Sequence, residues 1–82
     1  MAQVTVRFFA RYAELTGCET AAISVSGTST VADVLDRVRE TVPGAQNLPP
    51  RPLAALNLRQ VKLEVCVKDG DEVALLPPLS GG

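Results

Sequence analysis

One segment of this chain carries a helical apolar period long enough for several turns, and the segments around it read as strands. Val31, Val34, Leu35, Val38 and Val42 recur on one helical face, while Asp36, Arg37, Arg39 and Glu40 fall elsewhere. Thr30 and Asp33 have the spacing of a capping box, in which each side chain satisfies a backbone N–H that the first helical turn leaves unpaired. Pro43-Gly44 ends the pattern. The β-branched residues lower intrinsic helix propensity, so this helix depends on packing against a sheet.

The strands follow from a period of two. Val4, Val6 and Phe8 alternate with Thr5, Arg7 and Phe9, which predicts a strand over Val4–Ala10; Phe9 breaks the polar face. Arg11 to Thr16 makes one or two helical turns, with Gly17 placed for a left-handed cap. Thr20 to Ser26 is a second strand, closed by Gly27. After the main helix comes a Pro-rich loop from Pro43 to Pro52, then a short apolar run from Leu53 to Leu56 and a turn from Asn57 to Gln60. Val61 to Val65 alternates again, Lys68-Asp69-Gly70-Asp71 is a turn, and Glu72 to Leu76 is the last strand.

One amphipathic helix and this many strands pack most economically as a mixed sheet covering the helix on one face. The first two strands pair as a hairpin, and the last returns beside the first, in parallel, after the helical crossover. That is an α+β architecture, the β-grasp or ubiquitin-like fold. It predicts a domain over residues 1–76 and an extended tail over 77–82. In the last strand Val73 and Leu75 should face the helix, with Ala74 and Leu76 outward. Phe9 would be outward on the neighbouring strand, making an apolar patch with Leu76, although Phe9 could instead pack under the 43–52 loop.

Composition excludes whole classes of function. At 82 residues there is room for one small domain, and with aromatics at 4% its core must be aliphatic. No histidine is present, which removes the commonest general base, the commonest metal ligand and every Ser-His or Cys-His nucleophile. A formal net charge of -1 leaves no broad basic surface for nucleic acid or an anionic membrane. Cys18 and Cys66 cannot supply a zinc site and read as small, semi-buried free thiols in a reducing compartment, so no metal is expected. Arg7 and Arg11 interrupt the first apolar stretch, so no signal-peptide core is expected, nor is a membrane span, and the expected location is cytoplasmic.

The tail is the most informative segment. The last strand runs into Pro77-Pro78, which favours an extended exit, and then through Leu79 and Ser80 to Gly81-Gly82. Two residues without side chains let a terminal carboxylate enter a channel too narrow for any other residue.

Val6-Arg7-Phe8-Phe9-Ala10, Gly17, Leu53-Ala54-Ala55-Leu56-Asn57 and, above all, the run from Asp69-Gly70-Asp71 to Pro77-Pro78-Leu79-Ser80-Gly81-Gly82 resemble the molybdopterin synthase small subunits. These are the MoaD family of ubiquitin-like sulfur carriers, and the match runs nearly end to end. The resemblance implies that the Gly82 carboxylate is the reacting group. It would be adenylated by a ubiquitin-activating-like adenylyltransferase that consumes ATP, then converted to a thiocarboxylate by a sulfurtransferase or cysteine desulfurase. No cofactor is held by the chain itself. Residues Pro77, Pro78, Leu79, Ser80 and Gly81 would insert into a large subunit, in a heterotetramer of two small and two large chains, where sulfur passes to cyclic pyranopterin monophosphate. Phe9, Ala74 and Leu76 match partner contacts of the family; a further contact falls at Gln60, where an apolar residue is usual. The alternatives are a carrier for thiamine or cysteine synthesis, a ubiquitin-like modifier joined to lysines through Gly82, or an interaction domain with an inert tail.

Overall fold

The computed structural model describes residues 1–77. Five strands form one mixed sheet: β1 (Ala2–Phe8), β2 (Thr20–Val25), β3 (Leu53–Leu56), β4 (Arg59–Val61) and β5 (Glu72–Leu76), in the order β2-β1-β5-β3-β4. β1 pairs antiparallel with β2 and parallel with β5, and β3 runs antiparallel to both β5 and β4. A short helix, α1 (Arg11–Thr16), joins β1 to β2, and the main helix, α2 (Val31–Thr41), crosses from β2 toward β3. The β-grasp arrangement read from the periodicities is the one observed.

α2 shows why packing rather than propensity makes the helix. Its capping box is complete: the Asp33 N–H donates to Thr30 Oγ1 at 3.2 Å, and the Thr30 N–H donates to Asp33 Oδ2 at 2.9 Å. Such a cap contributes about 1 kcal/mol. Val31, Val34, Leu35 and Val38 are buried in the core, each contributing about 2 kcal/mol on the area scale. At 11 residues the helix is too short to persist alone, so burial against the sheet decides its stability.

The inner sheet face supplies the other half of the core. Val4, Val6 and Phe8 of β1, Ile23 and Val25 of β2, and Val73 and Leu75 of β5 are all buried in the same cluster as the helix face. Tyr12 of α1 and Leu48 of the 43–52 loop close one end. That loop contains a single 3₁₀ turn, Ala45–Asn47, which the sequence reading did not anticipate. It is tied to α2 by a hydrogen bond from Arg39 Nη2 to the Pro49 carbonyl.

β2 stops one residue short of the expected Ser26, and the boundaries of β1 and β4 differ from expectation for traceable reasons. β1 starts at Ala2, because the Gln3 N–H donates to Asp69 Oδ1 and its carbonyl accepts from the Gly70 N–H, both at 2.8 Å. It stops at Phe8, because Ala10 turns the chain at φ 49, ψ −124, with the Tyr12 N–H donating to the Phe9 carbonyl at 3.0 Å. That is the geometry of a type II′ turn, with alanine where glycine is usual.

The expected strand over Val61–Val65 and turn over Asn57–Gln60 are replaced by a tight turn at Asn57-Leu58 and a strand over Arg59–Val61. The carbonyls of Leu63 and Val65 instead accept from the Ala32 and Val31 N–H groups, at 2.8 and 2.9 Å. Pairing with the otherwise unsatisfied start of α2 outcompetes continuation of the sheet.

Asn57 joins this turn to β5. Its Oδ1 accepts from the Glu72 N–H at 2.9 Å, and its Nδ2 donates to Asp71 Oδ1 at 3.0 Å. These bonds assign Asn57 to the turn. The Asn57 amide and the Lys68 N–H both stabilise the charged form of Asp71 and hold its carboxyl below the usual range.

Asn57 and Leu58 have φ of 51 and 74, the pair of left-handed residues that a two-residue hairpin turn requires. Leu58 is 85% exposed, so no packing offsets its strain. Leu58→Gly is expected to raise stability by about 0.5–1 kcal/mol, the relieved strain exceeding glycine's greater loss of chain entropy. Thermal unfolding would register this as a rise of a few degrees; an unchanged or lower midpoint refutes it.

Candidate functional site

The outer sheet face, opposite α2, is built by the same alternation that builds the core. Arg7 pairs with Thr20 on one side and Ala74 on the other, Ala74 with Ala55, and Ala55 with Gln60. These five residues form one row across the sheet. The next row, toward the C-terminal end of β5, contains Leu76 paired with Leu53; Phe9 follows directly on the Phe8–Leu75 pair.

The predicted patch forms here, with one addition. Phe9 is 37% exposed, is absent from the core cluster, and lies beneath the Arg7 guanidinium, whose carbon is 5.3 Å from the ring centroid. The alternative packing of Phe9 under the 43–52 loop is not adopted; Tyr12 is the aromatic that faces that loop. Leu76 is half-buried on the same face. Leu53, unpredicted, is 38% exposed beside it. The run Leu53-Ala54-Ala55-Leu56 is apolar on both faces, a signal that both are covered, but which residue meets Leu76 depends on register.

Two site residues sit differently from expectation. Ala74 points outward as its position in β5 requires, yet it is only 7% exposed, being short and set between Arg7 and Ala55 in the sheet. It floors the surface and does not project from it. Gln60 is exposed at the far end of the row, across Ala55 from Ala74. Cys66 is exposed and Cys18 is half-buried, and neither is bonded to the other, so only Cys18 matches the semi-buried reading.

β5 ends at Leu76, and Pro77 lies against a cleft of about 490 Å³ lined also by Arg11, Tyr12, Leu15, Asn47 and Pro49. Burial pushes the Tyr12 phenol up, Arg11 pulling slightly the other way, so this hydroxyl stays neutral near pH 7. Pro78, Leu79, Ser80, Gly81 and Gly82, including the expected reacting carboxylate, lie outside the described residues. What the described residues build is a shallow, largely apolar face at the root of the tail, bordered by Arg7 and Arg11.

Comparisons with known proteins agree with this architecture. The ThiS family model matches residues 6–82. The molybdopterin synthase sulfur carrier subunit of Chlamydomonas reinhardtii is 32% identical, covering 98% of this chain and 99% of its own length. The human subunit of the same name is 31% identical, over 100% of this chain and 97% of its own. Among solved structures, SAMP1 from Haloferax volcanii superposes with a TM-score of 0.87 at 30% identity, covering 99% of this chain and 100% of that one. A chain from the complex of molybdopterin-converting factor subunits 1 and 2 of Helicobacter pylori superposes at 0.67 with 28% identity, over 98% and 99%. One from the BexX/CysO complex of Amycolatopsis orientalis superposes at 0.69 with 29% identity, over 96% and 99%. By its family match over residues 6–82, its relatives above 30% identity and its fold, the chain belongs to the ThiS/MoaD family of ubiquitin-like sulfur carriers.

Proposed function

We propose that this chain is the small, sulfur-carrying subunit of molybdopterin synthase. The observation that carries the reading is the apolar outer face of Phe9, Leu53 and Leu76 at the point where β5 runs into Pro77 and the Gly-Gly sequence. A carrier must dock while its tail reaches into a partner's active site, and an apolar face at the root of the tail meets that need. The chemistry proceeds at Gly82. A carboxylate is a poor electrophile, so an adenylyltransferase partner spends ATP to make the acyl adenylate; the persulfide of a sulfurtransferase or cysteine desulfurase displaces AMP, and a second thiol cleaves the acyl disulfide so formed, leaving its own disulfide with the donor cysteine. The resulting thiocarboxylate donates sulfur to cyclic pyranopterin monophosphate in the large subunit, building the dithiolene of molybdopterin. No side chain of the carrier acts as acid or base. Pro77 to Gly81 form the inserting segment, with Phe9, Leu76, Ala74 and Gln60 at the docking face.

A second reading has an observation of its own: the high similarity to SAMP1, a small archaeal modifier protein. In that reading Gly82 forms an isopeptide bond to target lysines. Intact-mass spectrometry of the chain isolated from its own host separates the two. The carrier reading expects a fraction with one terminal oxygen exchanged for sulfur, and a co-purifying synthase large subunit. A ladder of lysine-linked conjugates, with no sulfur-bearing species under sulfur-replete growth, would establish the modifier instead.

A further inference from the structure

Arg7 is the one cation of the row that crosses the outer face, with Glu72 on the same face of β5 as its ion-pair partner, and no acceptor is within hydrogen-bond reach of it. Arg37, Arg39 and Arg51 each donate a hydrogen bond, to Glu40, the Pro49 carbonyl and Glu64. Arg7, like Arg11 and Arg59, makes none among the described residues. It forms an ion pair with Glu72, Oε1 being 3.9 Å from Nη1 and beyond hydrogen-bond reach, and its side chain is 45% exposed. The guanidinium lies over the Phe9 ring, its carbon 5.3 Å from the centroid, a contact that favours this position before any partner arrives. Ala74, next to it in the row, is too short to cover it, and the adjoining Ala55 continues the same low floor toward Gln60.

We propose that Arg7 determines partner choice at this face, and that the large subunit presents a carboxylate to it beside the recess that receives Phe9. The inference rests on the docking reading above and deepens it. Covering the face removes water from five N–H donors, and a buried guanidinium without acceptors opposes binding. Glu72 approaches from one side only. On the same β5 flank, the low Ala74 and Ala55 floor beside Glu72 leaves room for an acceptor descending from the partner. A carboxylate matches the planar fork of an arginine with two parallel hydrogen bonds, whereas a single backbone carbonyl does not. Desolvation also strengthens the attraction between the guanidinium and the Phe9 ring, so the two residues act together. Arg11, at the cleft beside Pro77, adds a second positive charge near the root of the tail and suits an acidic rim on the partner.

The test is affinity for the synthase large subunit of the same organism, measured by calorimetry over a series of salt concentrations. Arg7→Met keeps the length and removes the charge; it should weaken binding by roughly tenfold or more and flatten the salt dependence. Arg7→Lys should restore the salt dependence and only part of the affinity. In a charge-reversal pair, Arg7→Glu should be rescued by one carboxylate-to-arginine change on the large subunit. Unfolding midpoints matching wild type establish that folding is intact. Arg7→Met binding within about twofold of wild type, at the same salt dependence, overturns the proposal and leaves the docking reading standing. Failure of the wild-type chain to bind the large subunit overturns both.

Discussion

A chain lacking Gly82 is expected to unfold at the temperature of the full-length protein and to support no molybdopterin formation above background. The first half follows from where the core ends. Among the described residues, the last in the hydrophobic cluster is Leu75, seven positions before Gly82. The second half follows from the chemistry proposed for the tail. Deletion moves the terminal carboxylate back by one residue, about 3.3–3.6 Å of extended chain. An error of about 1 Å in presenting a reacting group costs on the order of 100-fold, so a full residue should abolish transfer. Gly82→Ala separates reach from width: the carboxylate stays at full length and a methyl group is added. It should retain the ability to be adenylated in a wide site while transferring sulfur poorly in a narrow one. The measurement is product formed per carrier in a reconstituted system with the activating enzyme, sulfur donor and large subunit. If the truncated chain still yields product, the Gly82 carboxylate is not the reacting group and the carrier proposal falls.

Gly44→Ala should be among the most destabilising single substitutions in the protein, although the residue lies in a surface loop. Gly44 has φ +85, a conformation that costs any residue with a Cβ about 1–2 kcal/mol. Its surroundings add more. A Cβ there would lie 3.0 Å from the Leu15 carbonyl carbon, closer still to the carbonyl oxygen, and 3.3 Å from Thr16 Cα. All three atoms are backbone of α1 and its end, so no rotamer change relieves the overlap. Either the 43–52 loop or α1 must move, and both carry core residues, Leu48 and Tyr12. Together these effects predict a loss of about 3–5 kcal/mol, a large part of the stability of a domain this size.

Two other glycines are internal controls. Gly17→Ala meets the same kind of left-handed backbone, φ +73, with nothing within 4 Å, and should cost about 1 kcal/mol. Gly27 has open space and no such backbone, so Gly27→Ala should stay within about 0.5 kcal/mol of wild type. Chemical denaturation of the three variants ranks them directly. A Gly44→Ala loss no greater than that of Gly17→Ala would show that the loop relaxes and that the close approach to α1 carries no energetic weight.

These glycines also mark the limit of a linear reading. Pro43-Gly44 is legible as a helix stop, because proline and glycine end helices through local chemistry. That Gly44 abuts the Leu15 carbonyl is not legible, because it depends on how α1 and the loop pack. The same division runs through the site. Phe9 and Leu76 can be placed outward from alternation alone, since the side-chain period of a strand is local. Leu53 could not be matched to Leu76 without the register of β3 on β5, and the low exposure of Ala74 comes from its neighbours in other strands. The β4 boundary failed for a related reason. Val61 to Val65 alternates as a strand should, but the Leu63 and Val65 carbonyls are taken by the first N–H groups of α2, those of Ala32 and Val31, far earlier in the chain.

By itself the sequence determined the helix with its cap, the inward and outward faces of the first and last strands, the β-grasp order, and the tail that ends in Gly-Gly. Each rests on periodicity, capping or backbone restriction, which act over a few residues. Only the tertiary structure decided the register that joins Phe9, Leu53 and Leu76 into one face, the stacking of Arg7 on Phe9 without a hydrogen-bonded acceptor, and the close contact at Gly44. Those are properties of segments distant in the chain and adjacent in space, and no local rule contains them.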